Sequence, residues 1–206
     1  MDSSEQPQIY LSTPPVFELS GFPDRLAAVL DAHPVACLRL DLASRDEDAI
    51  SRAADLLREI AHARDIALVI TDHVLLAERL GLDGVHLSDA ARSVRGARKT
   101  LGPDAIVGSA CGTSRHDGMT AGEAGADYVS FGPVAASALD GGETAPPELF
   151  RWWSEMIELP VVASGGLSPE TVAELAPFTD FFGVGEEIWS QDDPVAALGL
   201  LIAAMG

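Results

Sequence analysis

The sequence predicts a (β/α)8 barrel, and three observations carry that prediction. Eight short apolar runs recur along the 206 residues. The segments between them are rich in Ala, Leu and Arg at helical spacing, as over 49–63. Near the end, Val161-Val162-Ala163-Ser164-Gly165-Gly166-Leu167-Ser168-Pro169-Glu170 runs from an apolar strand through paired glycine into a helix start. Strand–helix alternation implies parallel strands joined by crossover helices. Backbone N–H groups left bare by glycine suit a phosphate, and a (β/α)8 barrel holds phosphates near its last strands.

The strands read in order at 9–12, 36–40, 67–71, 84–87, 105–109, 128–132, 161–164 and 181–185. Helix starts are marked by Ser168-Pro169 and Asp193-Pro194, each placing proline at the first helical position. Eight units in this length make a compact barrel and a single domain over 1–206. The alternative is an open doubly wound sheet, but its glycine fingerprint is missing: the first strand–helix turn reads Thr13-Pro14-Pro15. One irregular stretch, 135–147, is a Gly/Ala/Pro-rich loop after the sixth strand, the kind of segment that serves as a lid or binding loop.

Composition narrows the function. With 47% hydrophobic and 22% charged residues the chain is expected to be globular rather than disordered. Its apolar runs are too short to span a bilayer, and its first residues carry no signal-peptide pattern. Two cysteines, Cys37 and Cys111, argue against a disulfide framework and fit a cytoplasmic address. A net charge of −19 argues against nucleic acid and anionic membranes as partners. Lys99 is the one lysine, so chemistry needing a lysine at a barrel mouth has only that residue to call on.

Further motifs fall in a fixed order: Gly84-Val85-His86-Leu87, Ile106-Val107-Gly108, Gly125-Ala126-Asp127-Tyr128-Val129-Ser130-Phe131-Gly132-Pro133 and Gly165-Gly166-Leu167. In that order, over about 9–189, the chain resembles the thiamine phosphate synthase family, which includes the thiazole tautomerases. The resemblance implies an enzyme that joins a pyrimidine diphosphate to a thiazole phosphate. Mg2+-bound pyrophosphate leaves, and the thiazole nitrogen captures a pyrimidine cation. It implies a phosphorylated small-molecule substrate held by Ser164, Gly165, Gly166, Gly183 and Gly185. It also implies Mg2+ on Asp72, with Asp89 as its partner, and Arg39 against the pyrophosphate. His73 and His86, both at strand ends, form a candidate acid–base or metal pair.

Several positions depart from the family pattern. Asp41 stands where the second strand's lysine is expected, and Thr71-Asp72-His73 where Asn-Asp-Arg is expected. Ala91 stands at the second metal aspartate, although Asp89 lies two residues away. The histidine expected after the fifth strand is absent from Ala110-Cys111-Gly112-Thr113, and no lysine remains in the loop after the sixth. After the eighth strand, Gly185-Glu186-Glu187 puts two carboxylates beside the expected phosphate site, where an inward turn would set like charges on a phosphate. Two further readings therefore stay open: a paralogue that binds a ligand or partner protein without catalysis, and a tautomerase-like isomerase using His73 or His86 as base. The catalytic reading expects Asp72, Asp89 and Arg39 on one cavity; the binding reading expects a cavity lined by Glu186, Glu187 and Asp41. Cys111 reads as buried packing rather than a nucleophile, His116 as solvated, and Trp152-Trp153 as packing of an outer helix. Barrels often bury outer helix surface in symmetric pairs, so a homodimer is a further expectation.

Overall fold

A computed structural model describes residues 6–136 and 142–206. The strands are β1 Gln8–Ser12, β2 Cys37–Leu40, β3 Ala67–Thr71, β4 Gly84–Leu87, β5 Ile106–Ala110, β6 Tyr128–Phe131, β7 Val161–Ser164 and β8 Phe181–Val184. The helices are α1 Phe22–Ala32, α2 Glu47–His62, α3 Val74–Leu80, α4 Val94–Leu101, α5 Arg115–Ala124, α6 Pro147–Met156, α7 Pro169–Leu175, α8 Glu186–Trp189 and α9 Pro194–Ala203. Every neighbouring pair of strands is parallel, and β8 returns to β1, so the sheet closes as a barrel and the open alternative is excluded. Each strand read from the sequence is present to within a residue or so at its ends. Residues 137–141 of the loop after β6 lie outside the described residues.

The strands alternate between two apolar clusters, as the two-residue period requires. Leu11, Leu38, Leu40, Leu68, Ile70, Val85, Val107, Val129, Phe131 and Phe182 face outward into one cluster with the helices. Tyr10, Cys37, Val69, Tyr128 and Val162 face inward and fill the barrel. Trp153 of α6 is buried against Phe131, its ring 4.9 Å away, and its indole N–H donates to the Leu159 carbonyl at 2.8 Å. Trp152 lies beside it under the Arg115 guanidinium at 4.5 Å. Helix starts follow the sequence signals: Ser168 and Thr171 form a capping box on α7, and the Asp193 carboxylate accepts the Ala196 N–H on α9.

The closed end of the barrel carries a repeated clamp. Asp83, Asp127 and Asp180 immediately precede β4, β6 and β8. Their carboxylates accept the N–H groups of Leu68 at 2.7 Å, Val107 at 2.8 Å and Val161 at 2.9 Å. Each aspartate's own N–H donates back to the carbonyl of the same residue. Two of the three carboxylates also meet a basic side chain: His62 at 2.7 Å from Asp83, and Arg98 at 2.6 Å from Asp127.

Candidate active site

The inward side chains form a polar layer halfway up the barrel. Tyr128 crosses the interior above Gly108, where a Cβ would lie 2.0 Å from the tyrosine ring, so only glycine fits there. The hydroxyls of Tyr128 and Tyr10 are 2.5 Å apart, and His86 Nδ1 is 2.8 Å from the Tyr128 hydroxyl. Burial pushes both phenols up and holds His86 well below its usual range, with Arg39 adding to the effect on the histidine. The layer is therefore neutral at pH 7, apart from Arg39 at its upper rim. The Arg39 guanidinium lies 5.8 Å over the Tyr10 ring and 3.3 Å from an Asp41 carboxylate oxygen, while its Nε is buried without a partner among the described residues. It is a cation with unused donor capacity.

Above this layer opens a cavity of about 880 Å3 at the C-terminal ends of the strands. Tyr10, Arg39 and His86 line its lower part and Ser164, Gly165, Gly166, Gly183 and Gly185 one flank. The opposite flank comes from the segment after β1. Phe17 stacks on Phe22 at 4.3 Å, Phe22 meets Trp189 at 5.0 Å, and the Trp189 indole N–H donates to the Ser12 carbonyl at 2.7 Å. The residues of this aromatic wall were not singled out in the sequence. Their spacing reveals no pattern, because β1 and α8 are neighbours only once the barrel closes.

Paired glycine has the expected backbone role. Gly165 and Gly166 have φ of 83° and 77°, and a Cβ on either would lie 2.8 Å from Pro133 or Ala135. Their turn leaves the Gly166 and Leu167 N–H groups converging with the Gly185 N–H. All three donate to one carboxylate, that of Glu187: Gly166 at 3.1 Å and Leu167 at 3.2 Å to Oε1, and Gly185 at 2.9 Å to Oε2. Of the two glutamates after β8, Glu187 thus turns inward, and Glu186 is exposed. Glu186, Glu187 and Asp41 all contribute to the cavity wall.

The remaining candidates stand apart from that wall. Asp72, with φ of 62°, bridges the tops of β3 and β4: it accepts the Ser88 N–H at 2.8 Å and the Ser88 hydroxyl at 2.5 Å. Asp89 accepts the Ser93 hydroxyl at 2.5 Å and the Ser93 N–H at 3.4 Å. His73 sits half-buried at the start of α3. Among the described residues no three His, Cys, Asp or Glu side chains come together in a way that could hold a metal ion. Asp72 and Asp89 each have both oxygens bonded to a serine, and neither lines the cavity. Of Asp72, Asp89 and Arg39, expected together on one cavity, Arg39 alone lines it. Cys111 is buried, and burial pushes its thiol to about 11, so it is no nucleophile at neutral pH. Lys99 is exposed in the last turn of α4, towards the closed end, and supplies no charge to the mouth. Among the described residues no helix is long and apolar enough to cross a membrane.

Comparison with known proteins agrees with this architecture. A family model described as thiamine monophosphate synthase matches residues 9–181. A thiamine-phosphate synthase of Rhodospirillum centenum is 44% identical over 194 residues, covering 93% of this chain and 94% of the relative. One from Erythrobacter litoralis is 40% identical over 195 residues, covering 92% and 91%. Among solved structures, a thiamine phosphate pyrophosphorylase from Pyrococcus furiosus superposes with a TM-score of 0.83 at 21% identity, covering 96% of this chain and 95% of that one, and so shares the fold.

Proposed function

Because the chain belongs to the thiamine monophosphate synthase family, we propose that it is a transferase that joins a pyrimidine, delivered as its diphosphate, to a thiazole. The C–O bond between the pyrimidine's methylene carbon and the diphosphate breaks, and pyrophosphate leaves with the electron pair. The thiazole nitrogen donates its lone pair to that carbon, forming a C–N bond and a thiazolium cation, with no proton exchanged. The observation that carries the reading is a cavity at the C-terminal ends of the strands whose floor holds Arg39, a cation whose buried Nε has no partner among the described residues.

The residues divide the work by position. Arg39, whose Nε has no partner among the described residues, stabilises negative charge developing on the departing diphosphate. Phe17 and Trp189 supply flat apolar surface of the kind a heteroaromatic ring stacks on. His86 and the two tyrosines form a neutral, closed floor, which keeps bulk water away from a carbocation-like carbon.

A second reading has its own observation. Carboxylates of Asp41, Glu186 and Glu187 face the cavity, as a barrel that binds without transferring would have them. Incubating pure protein with the pyrimidine diphosphate and either the thiazole phosphate or its alcohol, with and without Mg2+, separates the two. Release of pyrophosphate with formation of the coupled product supports the transferase. Binding of either thiazole with no coupling in any condition overturns it in favour of the binding barrel.

A further inference from the structure

The three N–H donors that a phosphate would use are all taken by Glu187. Its two oxygens receive Gly166, Leu167 and Gly185 at 2.9–3.2 Å, from two loops that meet only across the barrel mouth. Behind the cradle the glycine turn packs too closely on Pro133 and Ala135 to admit even a Cβ, which would lie 2.8 Å away. A phosphate entering it would have to evict the glutamate and then lie beside it as a like charge. Two arginines line the cavity: Arg39 is paired with Asp41, and Arg25 lies over the Trp189 ring at 6.0 Å. An ionised carboxylate offers about four acceptor positions, and Glu187 uses three of them, two on Oε1 and one on Oε2. What remains open is an acceptor on Oε2, which suits an O–H donor.

We propose that Glu187 is a specificity-determining residue that excludes phosphate from the cradle and selects a thiazole with a free alcohol, the same ring without its phosphoryl group. The glutamate supplies the negative charge that the family's substrate would otherwise bring. The alcohol's O–H donates to Glu187 Oε2, and the thiazole nitrogen is left to attack the pyrimidine carbon. The choice of acceptor rests on the transferase reading above; the exclusion of phosphate does not.

The test compares wild type with Glu187→Ala and Glu187→Gln, each checked for an unchanged circular dichroism spectrum. Inorganic phosphate and the thiazole phosphate are titrated calorimetrically, and kcat/KM is measured with the alcohol and with the phosphate as acceptor. Wild type is expected to use the alcohol about tenfold or more better than the phosphate, and Glu187→Ala to reverse that order and to bind inorganic phosphate about tenfold more tightly. Should the alanine variant fail to fold, the neutral glutamine variant is expected to gain about threefold in phosphate binding by loss of charge alone. A wild type that prefers the thiazole phosphate overturns the proposal and leaves the transferase intact. If no protein couples either acceptor, the transferase reading falls, and the phosphate titration still decides: a gain in the variants supports exclusion by Glu187, and no gain overturns it.

Discussion

At the closed end of the barrel, Asp83, Asp127 and Asp180 each accept one strand N–H and return a bond to the same residue. At the open end, Glu187 accepts three N–H groups from two loops, and nothing in the strand ladder depends on it. The chemistry is the same, a carboxylate on backbone donors. The consequences differ because the donors differ. At the closed end they are sheet donors beside the first rungs of β3, β5 and β7, which would be left unpaired without the aspartate. At the open end they are loop donors on a cavity wall, which water or a ligand could serve equally well. A carboxylate in the first position holds the fold; in the second it decides what enters. This follows the division of labour of (β/α)8 barrels, with stability below and chemistry above.

The strongest way to break that contrast is at Asp127, which holds both the Val107 N–H and Arg98. Asp127→Ala is expected to cost about 2 kcal/mol, and to lower the melting temperature by roughly 6 °C. Asp127→Asn, which keeps an acceptor oxygen but drops the ion pair, should lose about half as much. Equal losses in the two variants would mean that the charge pair, not the clamp on the strand, carries the effect.

The layer between the two ends adds an acid sensitivity of its own. His86 is buried and held well below its usual range of about 6.5. Below pH 6.5 the unfolded chain takes up a proton at this histidine that the folded chain refuses. Stability therefore falls as pH falls from there, by up to about 1.4 kcal/mol per pH unit, until the folded-state value is reached; above that range the group adds no slope. Urea midpoints between pH 7.5 and 5 should show this slope in wild type (about one proton's worth) and lose that part of it in His86→Asn. An unchanged slope in the variant would place the acid sensitivity elsewhere.

How much of this was legible in the sequence depends on how local each signal is. The strands read well because each outward face carries Leu, Ile, Val or Phe for the helices, and the turns between them carry proline or aspartate caps. Gly165-Gly166 was legible because two adjacent positive φ values leave few alternatives to glycine. The carboxylates at the mouth were visible as residue types, but their partners were not. Asp72 and Ser88 are on different strand ends, and Glu187 reaches back some twenty residues to Gly166 and Leu167. Such pairings are set by barrel closure and rotamer, neither of which a spacing rule encodes. The closed-end clamps had a readable signal that went unused: aspartate directly before the apolar run in Leu82-Asp83-Gly84, Ala126-Asp127-Tyr128 and Thr179-Asp180-Phe181.

The smallest expected effect tests the comparison most directly. If Glu187 were a clamp like Asp127, removing it would cost a similar amount. Of its donors, however, Gly166 is exposed and Gly185 half-exposed, Leu167 alone being buried, so water can replace most of what the carboxylate supplies at little loss. Eviction also relieves repulsion with Asp41 and Glu186 at the mouth of a chain that carries a net −19. Glu187→Ala is therefore expected to change stability by only about 0.5 kcal/mol, a melting shift of roughly 2 °C or less. A loss matching that of Asp127→Ala would show that the open end is held by the same device as the closed end, and Glu187 would then be a structural brace whose removal loosens both loops rather than freeing a site.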